Sequence, residues 1–162
     1  MTTALVYHPD CLRHETGPGH PERPDRIAVM FDRFQRRGIL QQVECLTPIE
    51  AVDKDLLRNH SAAHIEHIGR ASSGDLNRIC QDTVASNGTD RAARLASGGV
   101  IQAIKHVVDG KAKNAFCATR PPGHHAEKAS AMGFCFFNNV AIGARYLRSV
   151  HNLDRIAIID WD

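Results

Sequence analysis

An α/β fold with a doubly wound, mostly parallel sheet is what this sequence predicts, and three observations carry the prediction. Short apolar runs alternate along the chain with longer stretches whose apolar residues recur at helical spacing, the order that lays helices on the faces of a parallel sheet. The run at 155–160, Arg-Ile-Ala-Ile-Ile-Asp, is short, apolar and mostly β-branched, as strands covered on both faces are. The 162 residues, 43% of them hydrophobic, are enough for one domain with a real core, or for part of one, of the soluble globular class.

In chain order, residues 5–7 predict a first short strand. Residues 8–24 form a polar loop dense in proline, glycine and histidine, and so long a loop inside a compact domain is more often functional than idle. Over 25–37, Ile27, Met30, Phe31 and Phe34 recur at helical spacing and Gly38 stands at the C-terminal cap, predicting a packed helix. A strand is expected at 43–46, a short helix at 53–58 and another helix at 62–71. Residues 72–88 are polar and weakly patterned and read as a surface loop with one helical turn. Thr89 is expected to cap a long helix ending near Gly110, with Ala93, Ala96, Val100, Ile104 and Val107 on one face. Gly98 and Gly99 inside it weaken the helix by about 1 kcal/mol each relative to alanine, and close packing against a neighbour is the reason to expect them there. Residues 115–118 predict a strand, 139–150 a helix and 155–160 the last strand. There is no internal repeat, low-complexity tract or linker.

Composition narrows the function classes. A formal charge of +2 with no run of lysine or arginine gives no phosphate-tracking surface, so nucleic acid is not an expected partner. No charged leader opens the chain and no apolar stretch reaches the roughly 18 residues that span a bilayer, so the expectation is a cytoplasmic protein without a membrane partner. Five widely spaced cysteines without a Cys-x-x-Cys pair read as reduced thiols, several of them buried. His8, Cys11, His14 and His20 share one loop, but their spacing fits no standard zinc finger and the loop reads as polar.

The chemistry concentrates in three motifs. Arg120-Pro121-Pro122-Gly123-His124-His125-Ala126 holds two histidines on a stiff turn, because proline fixes φ and glycine supplies what the next residues need. Gly133-Phe134-Cys135-Phe136-Phe137-Asn138-Asn139 follows as a glycine-aromatic wall, with Phe136 and Phe137 expected in the core and Asn138 and Asn139 capping the next helix. Asp160-Trp161-Asp162 ends the last strand, where alternation puts the two carboxylates on one side and the indole on the other. That carboxyl edge is where open α/β sheets bind ligands, and a carboxylate pair there suits a metal ligand beside a histidine partner. On the residues alone, His124 and His125 could be ordinary polar side chains, Phe134 a core aromatic, and Asp160 a loop or helix partner.

These motifs resemble those of the zinc-dependent histone deacetylases and their relatives, the acetylpolyamine amidohydrolases and bacterial deacetylase-like amidohydrolases. The run from Arg120 to Asn139 and the strand into Asp162 match closely; His20-Pro21-Glu22-Arg23-Pro24-Asp25-Arg26 and His60-Ser61-Ala62-Ala63-His64 look like early landmarks of the family. The wording is closest to class II and bacterial members. The resemblance implies an arginase-deacetylase type of α/β fold and zinc-dependent removal of acetyl groups from acetyl-lysine or acetylated polyamine. It implies that His124 hydrogen-bonds Asp160, that His125 is the general base, and that Asp162 is a Zn2+ ligand, with a monovalent cation near Asp160 and Asp162. Phe134 would form one channel wall and the Gly133 carbonyl would face the substrate amide. Arg26 lies at the position of an arginine in the internal cavity, and reads equally as a solvated helix-face residue.

The family pattern runs on past the position of Asp162 to a histidine ligand, a second aspartate ligand and a catalytic tyrosine, a place that neither Tyr7 nor Tyr146 occupies. The expectation is therefore that residues 1–162 are the truncated N-terminal portion of a single deacetylase-like domain, inactive alone and able to self-associate through the truncated sheet. The alternative is a non-catalytic remnant or interaction module that keeps the scaffold.

Overall fold

The computed structural model describes residues 2–162. Three parallel strands make its main sheet: β1 (Thr2–Val6) in the centre, β2 (Glu44–Leu46) on one side and β5 (Ala112–Cys117) on the other. Leu5 stands opposite Cys45 on one flank and Phe116 on the other. Ala4, Leu5 and Val6 are buried, as a central strand covered on both faces requires. Between the strands run α1 (Asp25–Arg36), α2 (Asp53–Leu56), α3 (Ala62–Ala71) and α4 (Thr89–Val108), and α5 (Asn139–His151) follows β5. The fold is the α/β class predicted, with parallel strands and helices between them.

Helix α4 is the spine. It packs on β1, β5 and α5, and its glycines explain how closely. A Cβ on Gly98 would drive into the carbonyl of Ile49, and one on Gly99 would come within 2.9 Å of Val6 Cγ1. Leu95, Ala96 and Ile101 are buried along it, and Phe136, Phe137 and Ile142 join Ile101 in the core together with Leu56 and Ile68. Phe136 and Phe137 therefore sit where the sequence puts them. Asn138 caps α5 by accepting from the Ala141 N–H at 3.0 Å, while Asn139, one residue on, instead accepts from the Ser97 hydroxyl at 2.7 Å and ties α5 to α4.

Four expectations need correction. Residues 155–160 form no strand: they join no sheet among the described residues, and Ile158, Ile159 and Trp161 are exposed. A β-branched run specifies a surface that fits a sheet, and becomes a strand only where a neighbour and a covering layer are present. Residues 72–88 contain no helical turn; they hold a small antiparallel hairpin, β3 (Asn77–Arg78) with β4 (Val84–Ala85), whose Thr83 and Ala85 are fully buried. Gly88, not Thr89, occupies the cap of α4, because the Thr89 hydroxyl is engaged by the Ser86 N–H and by His14. Helix α1 buries none of its residues fully; its aromatic face half-covers the sheet edge, with Phe31 stacked on Tyr7 at 3.8 Å and Phe34 edge-on to Phe116 at 6.3 Å.

All five cysteines are free, Cys11 and Cys135 buried and Cys45 exposed. Burial pushes the thiols of Cys117 and Cys135 up to about 11, so both stay protonated at neutral pH. Among the described residues, no helix is long and apolar enough to cross a membrane.

Candidate active site

Two loops leave the carboxyl ends of adjacent strands, 8–24 after β1 and 118–126 after β5, and a buried ion pair fastens one to the other. Arg120 is 1% exposed and Glu22 likewise 1%. The guanidinium donates through Nε to Oε1 at 3.0 Å and through Nη2 to Oε2 at 2.9 Å, while Nη1 donates to the Cys11 carbonyl at 2.8 Å. This is the planar fork geometry that arginine, and not lysine, can provide. His14 lies alongside, its Nδ1 2.7 Å from the Thr89 hydroxyl and its Nε2 3.5 Å from Glu22 Oε2.

Beyond the clamp, the Pro-Pro-Gly turn delivers the histidine pair. Gly123 has no room for a side chain, since a Cβ would lie 2.6 Å from the Phe137 carbonyl oxygen. The rings of His124 and His125 stand edge to face with centroids 4.2 Å apart. His124 Nδ1 is 3.0 Å from Asp160 Oδ2, and its Nε2 is 3.4 Å from Asp162 Oδ2. Asp160 Oδ1 also accepts from the Asp162 N–H at 3.2 Å. The two carboxylates thus share the side facing His124, while Trp161 is exposed, as the alternation predicts even though no ladder forms.

His125 is exposed and lies against Gly133, where any Cβ would collide with the ring. Gly133 at φ +55° and Phe134 at φ +68° are both left-handed, uncommon for a bulky aromatic. The hairpin holds them so. Asp82 Oδ1 accepts from the Gly133 N–H at 3.2 Å and the Thr83 hydroxyl from the Phe134 N–H at 3.0 Å. Hydrogen bonds from Thr83 and Cys80, then from Gly133, keep the Asp82 carboxyl below the usual carboxylate range. The Gly133 carbonyl receives the Cys135 thiol at 3.2 Å. Behind Phe134 stands His20, edge-on at 4.9 Å, whose Nε2 reaches the Asp82 carbonyl at 3.1 Å.

One cavity of about 510 Å³ gathers Arg26, His124, His125, Gly133, Phe134 and Asp162 from four separate stretches of chain. Asp160 touches it only through His124. Arg26 rims it from the first turn of α1, its side chain 58% exposed and 3.7 Å from Glu22 Oε1. Pro21, Glu22, Asp82 and Pro122 complete the lining. Asp82 and Thr83 carry no sequence signal beyond two polar residues in a polar stretch. Glu22 and Arg120 do stand in recognisable motifs, but nothing local says that they meet.

Among the described residues, no group of three or more His, Cys, Asp or Glu is arranged to hold a metal ion. A catalytic zinc takes three protein ligands and a water, and these residues offer Asp162 as one donor. They do not make a zinc site by themselves. The histidines of the first loop are likewise committed elsewhere: His8 accepts from the Asp10 N–H at 3.1 Å, and His20 from the Glu22 N–H at 3.1 Å.

A further pair, His60 and His64, supports the wall from behind, with rings 5.0 Å apart against Phe137. Burial, aided by the neighbouring His64, pushes His60 down to about 4; burial, aided by the Arg120 cation, pushes His14 down to about 3. In the unfolded chain both rings take up a proton near pH 6.5. Below that pH the unfolded state binds more protons, so stability rises with pH across the window. The contribution is complete above about 6.5 and is lost as pH falls, toward 4 for His60 and toward 3 for His14. Stability, read from urea midpoints at constant slope, is therefore expected to hold between pH 8 and 7 and to fall between 6.5 and 5, by up to about 1.4 kcal/mol per pH unit for each ring. Midpoints that do not move from pH 7 to 5 would mean that both rings are solvated.

The pocket lies at the carboxyl edge of a parallel sheet, where open α/β sheets bind their ligands, and holds two adjacent histidines backed by aspartate and walled by glycine and an aromatic. Residues 20–162 match the histone deacetylase domain, and the chain belongs to that family. It is 38% identical to a probable deacetylase of Archaeoglobus fulgidus, over the whole of this chain and 45% of that protein. It is 36% identical to the human polyamine deacetylase HDAC10, again over the whole chain and 26% of that protein. Among solved structures, the crystal structure of the HDA15 HD domain superposes with a TM-score of 0.84 at 31% identity, over 89% of this chain and 43% of that one. The chain spans less than half the length of each of these proteins.

Proposed function

We propose that residues 1–162 are the N-terminal, histidine-bearing portion of one histone-deacetylase-like domain, and that this domain hydrolyses the N-acetyl amide of acetyl-lysine or of an acetylated polyamine. The observation that carries the reading is the Asp160–His124–His125 array opening into a cavity walled by Phe134. His125 is the exposed member of the pair and, among the described residues, has no carboxylate on its ring, which suits a group that takes a proton from an attacking water and returns it to the leaving amine. His124, held between Asp160 and Asp162, suits an electrostatic partner to that transfer. The cavity that Phe134 and His125 both line suits an aliphatic chain ending in the amide.

Zinc belongs to this reading only for the domain as a whole, since two further protein ligands would have to join Asp162. The test is acetate release by the full-length polypeptide, supplied with zinc, from an acetyl-lysine peptide and from N-acetylated polyamines. Saturable release from either is expected, and none from residues 1–162 alone. A folded full-length protein that releases acetate from neither would leave a scaffold without the chemistry.

A further inference from the structure

We infer that His60, acting through Asn138, is a positioning residue for the His124–His125 pair. The inference rests on the reading of that pair as the proton-transfer groups, and the geometry begins at the N-terminal edge of α3. His60 is 2% exposed and its Nε2 accepts from the Asn138 N–H at 2.8 Å, so the ring proton sits on Nδ1. Asn138 then spends every polar atom of its side chain. Its Oδ1 caps α5, and its Nδ2 donates to the carbonyl of His124 at 3.2 Å and to that of Ala126 at 3.1 Å. Those two carbonyls bracket His125. One turn along, His64 Nε2 donates to the Phe136 carbonyl at 2.8 Å, fixing the strand of chain between the Gly133–Phe134 wall and Asn138.

The chemistry explains why the residue is a histidine. The Asn138 N–H points into a buried space and needs an acceptor; a neutral imidazole supplies one on a ring that also packs against Phe137, 5.5 Å between centroids. An aliphatic or phenyl ring at 60 would fill the volume and leave that N–H orphaned, free to rotate the amide away and loosen both bonds to the histidine turn. A glutamine at 60 offers its Oε1 at about the reach of Nε2 and keeps the acceptor. Serine 61, whose hydroxyl accepts from the His64 N–H at 3.2 Å, fixes the start of α3 and so the direction of the ring.

Two measurements test this independently. In the full-length enzyme, His60→Phe is expected to lower kcat about 10-fold to 100-fold, the cost of a small misplacement of reacting groups, with KM changed less than threefold, and His60→Gln to restore most of the loss. If His60→Phe does not fold, Asn138→Asp decides. It keeps the cap and the backbone donor to His60 but loses both donors to the turn, and is expected to lower kcat by a similar factor. In residues 1–162, amide hydrogen exchange needs no activity. The Ala126 N–H, bonded to the Gly123 carbonyl at 3.1 Å, is expected to exchange at least 10-fold faster in His60→Phe or Asn138→Asp, and at the native rate in His60→Gln. An unchanged kcat in a folded His60→Phe or Asn138→Asp enzyme overturns the inference, as does unchanged Ala126 exchange. Faster exchange with no deacetylation even in the unaltered enzyme would instead sink the functional reading and leave the positioning role standing.

Discussion

Replacing His125 by alanine is expected to lower kcat of the full-length enzyme by about 10²-fold to 10⁴-fold, the usual contribution of a positioned general acid-base group. The residue's surroundings make the prediction specific. Its ring is exposed to the cavity, no carboxylate lies within ion-pair distance of it among the described residues, and the ring packs against Gly133 where no side chain could stand. Removing it takes away a proton acceptor and leaves the Phe134 wall and the Glu22–Arg120 clamp in place, so KM should move little. His124→Ala should also cost rate, but by another route, because its partner carboxylates Asp160 and Asp162 would then face each other without an imidazole between them. Initial-rate kinetics on an acetyl-lysine peptide separate the two. A His125→Ala enzyme with native kcat removes that residue from the mechanism.

What the sequence made legible follows from which interactions are local. The start of α5 could be placed closely because Asn138 caps it within one turn, and Ser61, not read as a cap from the sequence, does the same for α3. The Gly98-Gly99 pair announced a close approach, though not that the neighbour would be the Ile49–Ala51 backbone. The histidine turn and the aromatic wall were readable because each is a continuous motif. Everything that holds them was not. Thr83 lies 51 residues from the Phe134 N–H it receives, His60 is 78 residues from Asn138, and Glu22 is 98 residues from Arg120. Such contacts have no period and no spacing. The mistaken strand at 155–160 is the converse case, since its apolar pattern is strong and what decides its state is a neighbour that the pattern does not contain.

The Glu22–Arg120 pair should be the most sensitive point for stability. Either charge alone in that space is expensive, because the interior cannot replace its hydration, and the loss of one partner strands the other. Glu22→Ala or Arg120→Met is expected to cost about 3–5 kcal/mol, read as a fall in the urea midpoint at constant slope. Against a total stability of about 5–15 kcal/mol for a domain, either change approaches unfolding. An exposed pair such as Glu66–Arg70 offers the contrast: Glu66→Ala should cost about 0.2–1 kcal/mol. The double variant Glu22→Leu with Arg120→Met should recover much of the loss, since two apolar side chains in place of a buried ion pair are often neutral or better. It should not recover the site. The Cys11 carbonyl would lose its donor, and the charged clamp would no longer hold the loop at 8–24, with its His20 support for Phe134 and the Arg26 rim just beyond it in α1, against the turn that carries His124 and His125. The pair therefore predicts a separation that a purely structural contact would not give: a double variant stable in urea, yet with kcat depressed or KM raised. If stability and kinetics recover together, the clamp is only a filler of space, and the two loops find their register without it.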